Sequence, residues 1–127
     1  MSRRTRKVSR ILLGIYLAAV FFLCFSNMSS LPEVKQQLLG MDADKVAHFL
    51  MFLPLPLLVC FSFEGKAWLL ALAGLLSGAL LGGATELVQG FLTYRSMDIV
   101  DFAADMAGSV AGACLVLCIA PVIKAGK

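Results

Sequence analysis

Between Thr85 and Gly108 the chain places ionisable and amide side chains inside or beside long apolar runs. Such groups are costly in hydrocarbon, so they turn toward a protein interior and mark a functional site or a structural polar contact. A soluble domain of 127 residues with 60 % apolar and only 15 % charged residues could not hide its apolar surface. We therefore predict an all-α, polytopic membrane protein. The polar residues in this stretch are Glu86, Gln89, Arg95, Asp98, Asp101 and Asp105.

Four apolar segments are candidates for helices that cross a bilayer core of roughly 30 Å. The first is interpreted as an uncleaved span, because no small-residue cleavage site follows it. The expected fold is a bundle of four transmembrane helices in which the third and fourth form a tight hairpin. The predicted spans cover residues 11–25, 46–63, 68–91 and 98–120. Residues 1–10 form a basic cytoplasmic tail, residues 11–123 the transmembrane domain and residues 124–127 a short cytoplasmic tail.

Local signals refine these spans. Pro54 and Pro56 predict a kink or local unwinding inside the second span, because proline removes a helical hydrogen bond. Asp44 is a candidate N-terminal cap of that span, and residues 33–39 are expected to form a short interfacial helix. Asp98 is a candidate cap of the fourth span, which is expected to end before Pro121.

Glycines recur every fourth residue along the third span, so they share one helix face. Gly74, Gly78 and Gly82 form a smooth strip on which another helix can pack closely. Gly108 and Gly112 continue the face that carries the acids of the fourth span. The two strips are predicted to pack against each other, with Glu86 pointing into the bundle.

The distribution of positive charge predicts the orientation in the membrane. Eight of the eleven basic residues lie before the first span, between spans two and three, or after span four. Cytoplasmic loops are enriched in lysine and arginine, so both termini are placed in the cytoplasm. The five basic residues among the first ten face anionic lipid in this interpretation, and nucleic acid is not an expected partner.

This topology brings polar groups from three chain regions to the extracytoplasmic side. At about 1.5 Å per residue, Glu86 and Asp105 reach matching depths and could face each other. The five acids and two bases of this candidate polar pocket sum to minus three, which calls for protonation, water or a bound cation. Arg95 is the expected clamp for two carboxylates or a phosphate. The pocket residues are Asp44, Lys45, His48, Glu86, Gln89, Arg95, Asp98, Asp101 and Asp105.

Structural alternatives stand beside these functional interpretations. His48 could be a hydrogen-bonded histidine at a helix start or could transfer a proton or bind a ligand. Glu86 and Gln89 could lock two helices together or form part of a binding site. Asp101 and Asp105 are too deep for capping and need a partner or a buried network. The cysteines Cys24, Cys60, Cys114 and Cys118 show no paired framework and are interpreted as packing residues.

The order and spacing of these residues resemble the VanZ-like family. The resemblance covers residues 11–116 and rests on three motifs, one in each of spans two to four. It implies an integral membrane protein of at least four helices, in a family named after a protein associated with low-level resistance to the glycopeptide teicoplanin. No reaction is established for that family. At Asp105 the family often carries asparagine, which leaves open whether a charge is needed there. The motifs are Asp44-Lys45-x-x-His48-Phe49, Glu86-x-x-Gln89 and Arg95-x-x-Asp98-x-x-Asp101-x-x-x-Asp105-x-x-Gly108.

Three functions are compatible with these residues. The favoured one is a non-catalytic accessory protein of the bacterial cytoplasmic membrane, whose pocket binds a lipid head group or lipid-linked cell-wall precursor and affects glycopeptide susceptibility. The second is a small intramembrane enzyme acting on a lipid-linked phosphate. Its candidates for holding a divalent cation are His48, Glu86, Asp101 and Asp105, without a recognised metal-binding spacing. The third, a proton-coupled exporter, is disfavoured because no ionisable residue lies at mid-membrane.

Overall fold

The structure, a computed structural model, describes residues 1–26, 37–38 and 41–125. Four helical stretches in this part of the chain are long and apolar enough to cross a membrane, which confirms the predicted all-α, multi-pass bundle. They are Arg3–Phe25, Ala43–Ser62, Ala67–Gln89 and Ile99–Val122. The elements in chain order are α1 (Arg3–Phe25), β1 (Gln37–Leu38), β2 (Met41–Asp42), α2 (Ala43–Phe52), α3 (Pro54–Ser62), α4 (Ala67–Gln89) and α5 (Ile99–Ala125).

The second span is interrupted at its two prolines, as the sequence predicts. Helix α2 ends at Phe52, and Pro54 is the first residue of α3, where a missing N–H costs least. Leu53 between them keeps right-handed helical angles and donates its N–H to the Phe49 carbonyl at 3.1 Å. The two short helices therefore continue one path across the membrane with a local break in hydrogen bonding.

Several predicted boundaries differ from the structure. The first helix begins at Arg3, so the basic segment is helical. Asp42 occupies the cap position of α2 and Asp44 lies in its first turn, so capping by Asp44 was wrong. Helix α5 continues through Pro121 to Ala125.

The predicted interfacial helix of residues 33–39 falls mainly on residues 33–36 and 39, which lie outside the described part of the chain. Its remaining residues, Gln37 and Leu38, form β1, which pairs antiparallel with β2. A helix at those two positions was therefore wrong.

The glycine strip of α4 packs against two different helices. A Cβ atom at Gly74 would lie 2.5 Å from the Cα of Pro56 in α3, and one at Gly78 would overlap the Oγ of Ser109 in α5. Glycine is needed at both positions because the neighbouring atoms leave no room for a methyl group.

The glycines of α5 face the backbone of the second span, at α2 and at the residue between α2 and α3. A Cβ at Gly108 would overlap the carbonyl oxygen of Phe49, and one at Gly112 would overlap that of Leu53. The prediction that the two glycine strips pack together was wrong, because the α5 strip receives the α2–α3 backbone. The tight α4–α5 contact is made instead through Ser109 and Asp105, opposite Gly78 and Gly82.

One end of the bundle is closed by basic residues of α1. Arg6 pairs with Glu64 at 2.6 Å, and the Arg10 Nε–H donates to the Ser62 carbonyl at 3.0 Å. Arg10 also lies over the Phe63 ring, 5.6 Å from its centroid. This end holds the beginning of α1, the end of α3 and the beginning of α4, so the polar residues of the third and fourth spans lie at the opposite end.

Candidate functional site

The end of the bundle opposite Arg6 and Glu64 carries a buried cluster of ionisable side chains. His48, Glu86 and Asp105 come from α2, α4 and α5, and their exposed fractions are 5 %, 4 % and 0 %. At about 1.5 Å per residue, they lie roughly 8, 5 and 9 Å from the ends of their helices. We call the set Lys45, His48, Glu86, Asp98, Asp101 and Asp105 the acidic cluster.

Lys45 is the positive charge that neutralises the outer acids of this cluster. Its Nζ donates to the Asp98 Oδ2 at 2.7 Å and also to the Asp101 Oδ1. The ammonium group lowers the pKa of the Asp98 carboxyl, which lies before the first residue of α5, below its usual value. The other oxygen of Asp98 accepts from the Val100 N–H at 2.8 Å and so caps α5, as predicted.

The His48 ring lies between two acids of α5. Its Nδ1 is hydrogen-bonded to the Asp105 Oδ1 at 2.8 Å, where a carboxylate accepts from Nδ1–H. Its Nε2 is 3.8 Å from the Asp101 Oδ2. The predicted helix-start histidine is thus hydrogen-bonded, but its partner comes from α5 rather than from Asp44.

Glu86 and Asp105 each use one carboxyl oxygen in a hydrogen bond. The Glu86 Oε2 accepts from the Asp98 N–H at 3.0 Å, which ties the end of α4 to the start of α5. The Glu86 Oε1 and Asp105 Oδ2 are buried and have no hydrogen bond within residues 1–26, 37–38 and 41–125. Leaving a charged oxygen unsatisfied in a low-dielectric interior is costly.

Gln89 and Arg95 contact the end of α1 rather than the acids. The Gln89 Nε2 donates to the Cys24 carbonyl at 2.7 Å, and the Arg95 Nη2 donates to the Leu23 carbonyl at 3.3 Å. Tyr94 adds a third contact, donating its hydroxyl to the Phe25 carbonyl at 2.9 Å. The last carbonyls of a helix have no partner within the helix, so these three side chains cap α1. The positive charge of Arg95 also interacts favourably with the negative end of the α1 dipole.

The structure thus brings six of the nine predicted pocket residues into direct contact. These six are the members of the acidic cluster. Asp44 is exposed, yet one of its ligand atoms lies within 4.8 Å of ligand atoms of His48 and Asp101. Arg95 was expected to hold two carboxylates or a phosphate. The carboxylate alternative was wrong, because Arg95 donates to a backbone carbonyl and Lys45 holds the two acids, while the phosphate alternative stays a prediction. Sequence reasoning missed Tyr94, although a tyrosine beside an interfacial arginine is a common anchor.

In the part of the chain that the structure describes, two groups of side chains have the proximity that a metal ion requires. One consists of Asp44, His48 and Asp101, and the other of His48, Glu86 and Asp105; within each, the ligand atoms lie within 4.8 Å of one another. Both groups use His48. The arrangement can therefore bind a cation or hold and transfer protons between an imidazole and carboxylates.

The acidic cluster is a packed set of side chains, and two cavities of the bundle lie elsewhere. A cavity of about 370 Å³ is found at the opposite end, beside Arg6 and Glu64. A groove of about 360 Å³, lined by Leu17, Val59 and Leu81 among other apolar residues, runs along α1, α3 and α4.

Comparison with known proteins gives a family match by sequence. The family VanZ/LLP1 matches residues 4–120. An uncharacterized protein of Schizosaccharomyces pombe is 38 % identical over 66 residues, which are 51 % of this chain and 41 % of that protein. The match thus spans about two fifths of the relative's length. No solved structure matches this chain.

Proposed function

Because this chain belongs to the VanZ/LLP1 family, we propose that it is a membrane accessory protein of the cell envelope that binds a lipid head group. The observation that carries the proposal is the placement of the acidic cluster at one end of a bundle of four helices that are long and apolar enough to cross a membrane. Three helices contribute to it, and ionisable residues within membrane spans are functional-site candidates by default. A lipid-linked cell-wall precursor is a second ligand of the same kind.

The outermost residues of the cluster suggest the chemistry of this head group. Asp44 is exposed, Asp98 has a side chain that is 39 % exposed, and the Lys45 side chain is 16 % exposed between them. A surface with both signs of charge favours a head group that carries an amine beside its phosphate, since each ionic group then finds an opposite charge.

We place the protein in a bacterial cytoplasmic membrane with both termini in the cytoplasm, so that the acidic cluster faces outward. The excess of basic residues in the segments assigned to the cytoplasm supports this orientation. On that side the cluster could meet cell-wall precursors and alter susceptibility to a glycopeptide such as teicoplanin.

The orientation predicts the outcome of a reporter experiment. A reporter that is active only in the cytoplasm should be active when fused to the C-terminus, and one active only outside should be inactive there. The opposite pattern would place the acidic cluster at the cytoplasmic surface and exclude an external precursor as its ligand.

One observation favours a second candidate, a small intramembrane enzyme acting on a lipid-linked phosphate. The buried His48–Asp105 pair has the arrangement of a general base oriented by a carboxylate. Metal-dependent release of a head group by the purified protein would favour this candidate over the accessory role.

Lipid binding is tested by measuring which lipids stay with the protein after purification from membranes of defined composition. The wild-type protein should retain an amine-bearing phospholipid or precursor selectively. Asp44→Asn and Asp98→Asn should retain it several-fold less, because each removes an exposed carboxylate that can pair with the amine.

Glu64→Gln is the matched control, since it makes the same chemical change at an exposed position of the opposite end. Equal retention by all variants, with normal folding, would contradict head-group binding at the cluster.

A further inference from the structure

The inner part of the acidic cluster has the side-chain chemistry of a cation site. His48, Glu86 and Asp105 supply one imidazole and two carboxylates from three different helices. All three residues are at least nine-tenths buried, and their ligand atoms lie within 4.8 Å of one another. Because rigid helices hold the three side chains, the group is positioned before any ligand arrives.

The two buried oxygens without a partner are an independent sign of a ligand. The Glu86 Oε1 and the Asp105 Oδ2 accept no hydrogen bond in the described parts of the chain, although both residues are buried. Buried polar atoms are nearly always satisfied, so two such oxygens on the residues that group with His48 point to a ligand there. Gly82 faces this point, and a Cβ there would lie 3.1 Å from the Asp105 Oδ2.

Ligand spacing agrees with a single ion. Opposite ligands of an ion with bonds of about 2.1 Å are ~4.2 Å apart, and adjacent ligands of an octahedral ion are ~3 Å apart. The ligand atoms of His48, Glu86 and Asp105 all lie within 4.8 Å of one another, so small side-chain shifts would bring them to these spacings. An ion bound at Nδ1 would replace the proton of the 2.8 Å hydrogen bond between His48 and Asp105.

The charges of the three side chains favour a divalent ion. Ionised Glu86 and Asp105 carry two negative charges, while Lys45 already pairs with Asp98 and Asp101. Carboxylates suit Mn²⁺ and imidazole suits Zn²⁺, and both ions accept a mixed set. We propose that His48, Glu86 and Asp105 bind one divalent first-row metal ion, Mn²⁺ or Zn²⁺, and leave at least one coordination position open.

Asp44 marks the path by which the ion arrives. It is exposed at the bundle end and forms, with His48 and Asp101, the outer group of possible ligands. His48 belongs to both groups, so the outer group lies directly beside the inner one. An open coordination position could then receive a lipid phosphate, a role that rests on the proposed function.

Metal binding is tested on the full chain in detergent, stripped of metal by a chelator and separated from lipid. Titration with Mn²⁺, followed by the paramagnetic resonance of the free ion, should show one ion bound per chain, and calorimetry with Zn²⁺ should give the same stoichiometry. Glu86→Gln and Asp105→Asn should each weaken binding by about tenfold or more, since even outer-shell changes cost ~10–100-fold. Glu64→Gln should leave the affinity unchanged.

A spectroscopic measurement keeps the test decisive should a ligand variant fail to fold. Bound Mn²⁺ should show magnetic coupling to an imidazole nitrogen in the wild-type protein. No stoichiometric binding by folded wild-type protein, or binding without nitrogen coupling, would overturn the inference. Binding lost in Asp44→Asn but kept in Glu86→Gln would also overturn it, because the ion would then lie in the outer group. The titration contains no lipid, so metal binding and lipid binding fail separately.

Discussion

The Gly108→Ala variant is expected to be markedly less stable than the wild-type protein, because its new methyl group would meet main-chain atoms. A Cβ at this position would overlap the Phe49 carbonyl oxygen and lie 3.2 Å from the Leu53 nitrogen. Backbone atoms of a helix cannot rotate away as a side chain can, so α2 and α5 would have to separate. Overpacking typically costs about 1–3 kcal/mol, and this site belongs at the upper end of that range.

Gly14→Ala is the matched control for this substitution. It adds the same methyl group to another transmembrane helix, but nothing lies within 4 Å of the new atom. Alanine also has a higher helix propensity than glycine by about 1 kcal/mol, so Gly14→Ala should be neutral or slightly stabilising. Unfolding by heat or by a denaturing detergent measures both variants.

The structural change in Gly108→Ala that lowers its stability should also reach the acidic cluster. Phe49 follows His48 in the chain, so moving α2 away from α5 lengthens the 2.8 Å contact between His48 and Asp105. Equal unfolding midpoints for Gly108→Ala and Gly14→Ala would show that the close α2–α5 contact is not a feature of the folded protein.

Lys45→Met should also destabilise the protein strongly, by leaving two neighbouring acids without their cation. Lys45 bonds both Asp98 and Asp101, and the Asp101 side chain is only 10 % exposed. Removing one partner of a buried pair costs about 3–5 kcal/mol, because a buried charge stays behind. The Asp98 contact is partly exposed and adds little, so the loss should fall near the lower end of that range.

A second substitution distinguishes the lost ion pair from lost packing. Lys45→Met combined with Asp101→Asn removes the stranded charge, so the double variant should recover part of the stability. Lys66→Met is the control, since it removes an exposed lysine at the other end of the bundle. If the double variant is as unstable as the sum of the two single variants, the Lys45–Asp101 pair does not hold α2 to α5.

Much of the acidic cluster could be predicted from the sequence because membrane topology is a strong constraint. Alternating spans carry Lys45, Glu86 and Asp98 to the same end of the bundle, whatever the helix order around its axis. Helical rise then sets the depth of each group, which is why Glu86 and Asp105 were expected to face each other. The structure places ligand atoms of both within 4.8 Å of one another and of His48.

Contacts between helices were predicted less well, because they depend on the rotation of each helix about its axis. Gly108 and Gly112 lie on one face in any helical description, but their partner could have been α4 or the α2–α3 backbone. The break at Pro54 lets the latter approach closely, as the overlap at both glycines shows. Spacing within one helix carries no information about which neighbour fills its groove.

The sequence by itself therefore determined the class of protein, the four membrane spans and the end at which polar groups gather. These follow from the cost of exposing backbone or charge to hydrocarbon, which acts along each span separately. Only the tertiary structure decided the partner of each polar group. It paired Lys45 with the outer acids and assigned Arg95 and Gln89 to the carbonyl end of α1. Among the described residues, it left one oxygen each of Glu86 and Asp105 without a hydrogen bond. The physical reason is that hydrogen bonds and ion pairs act over a few ångströms, so they depend on how the helices pack around one another.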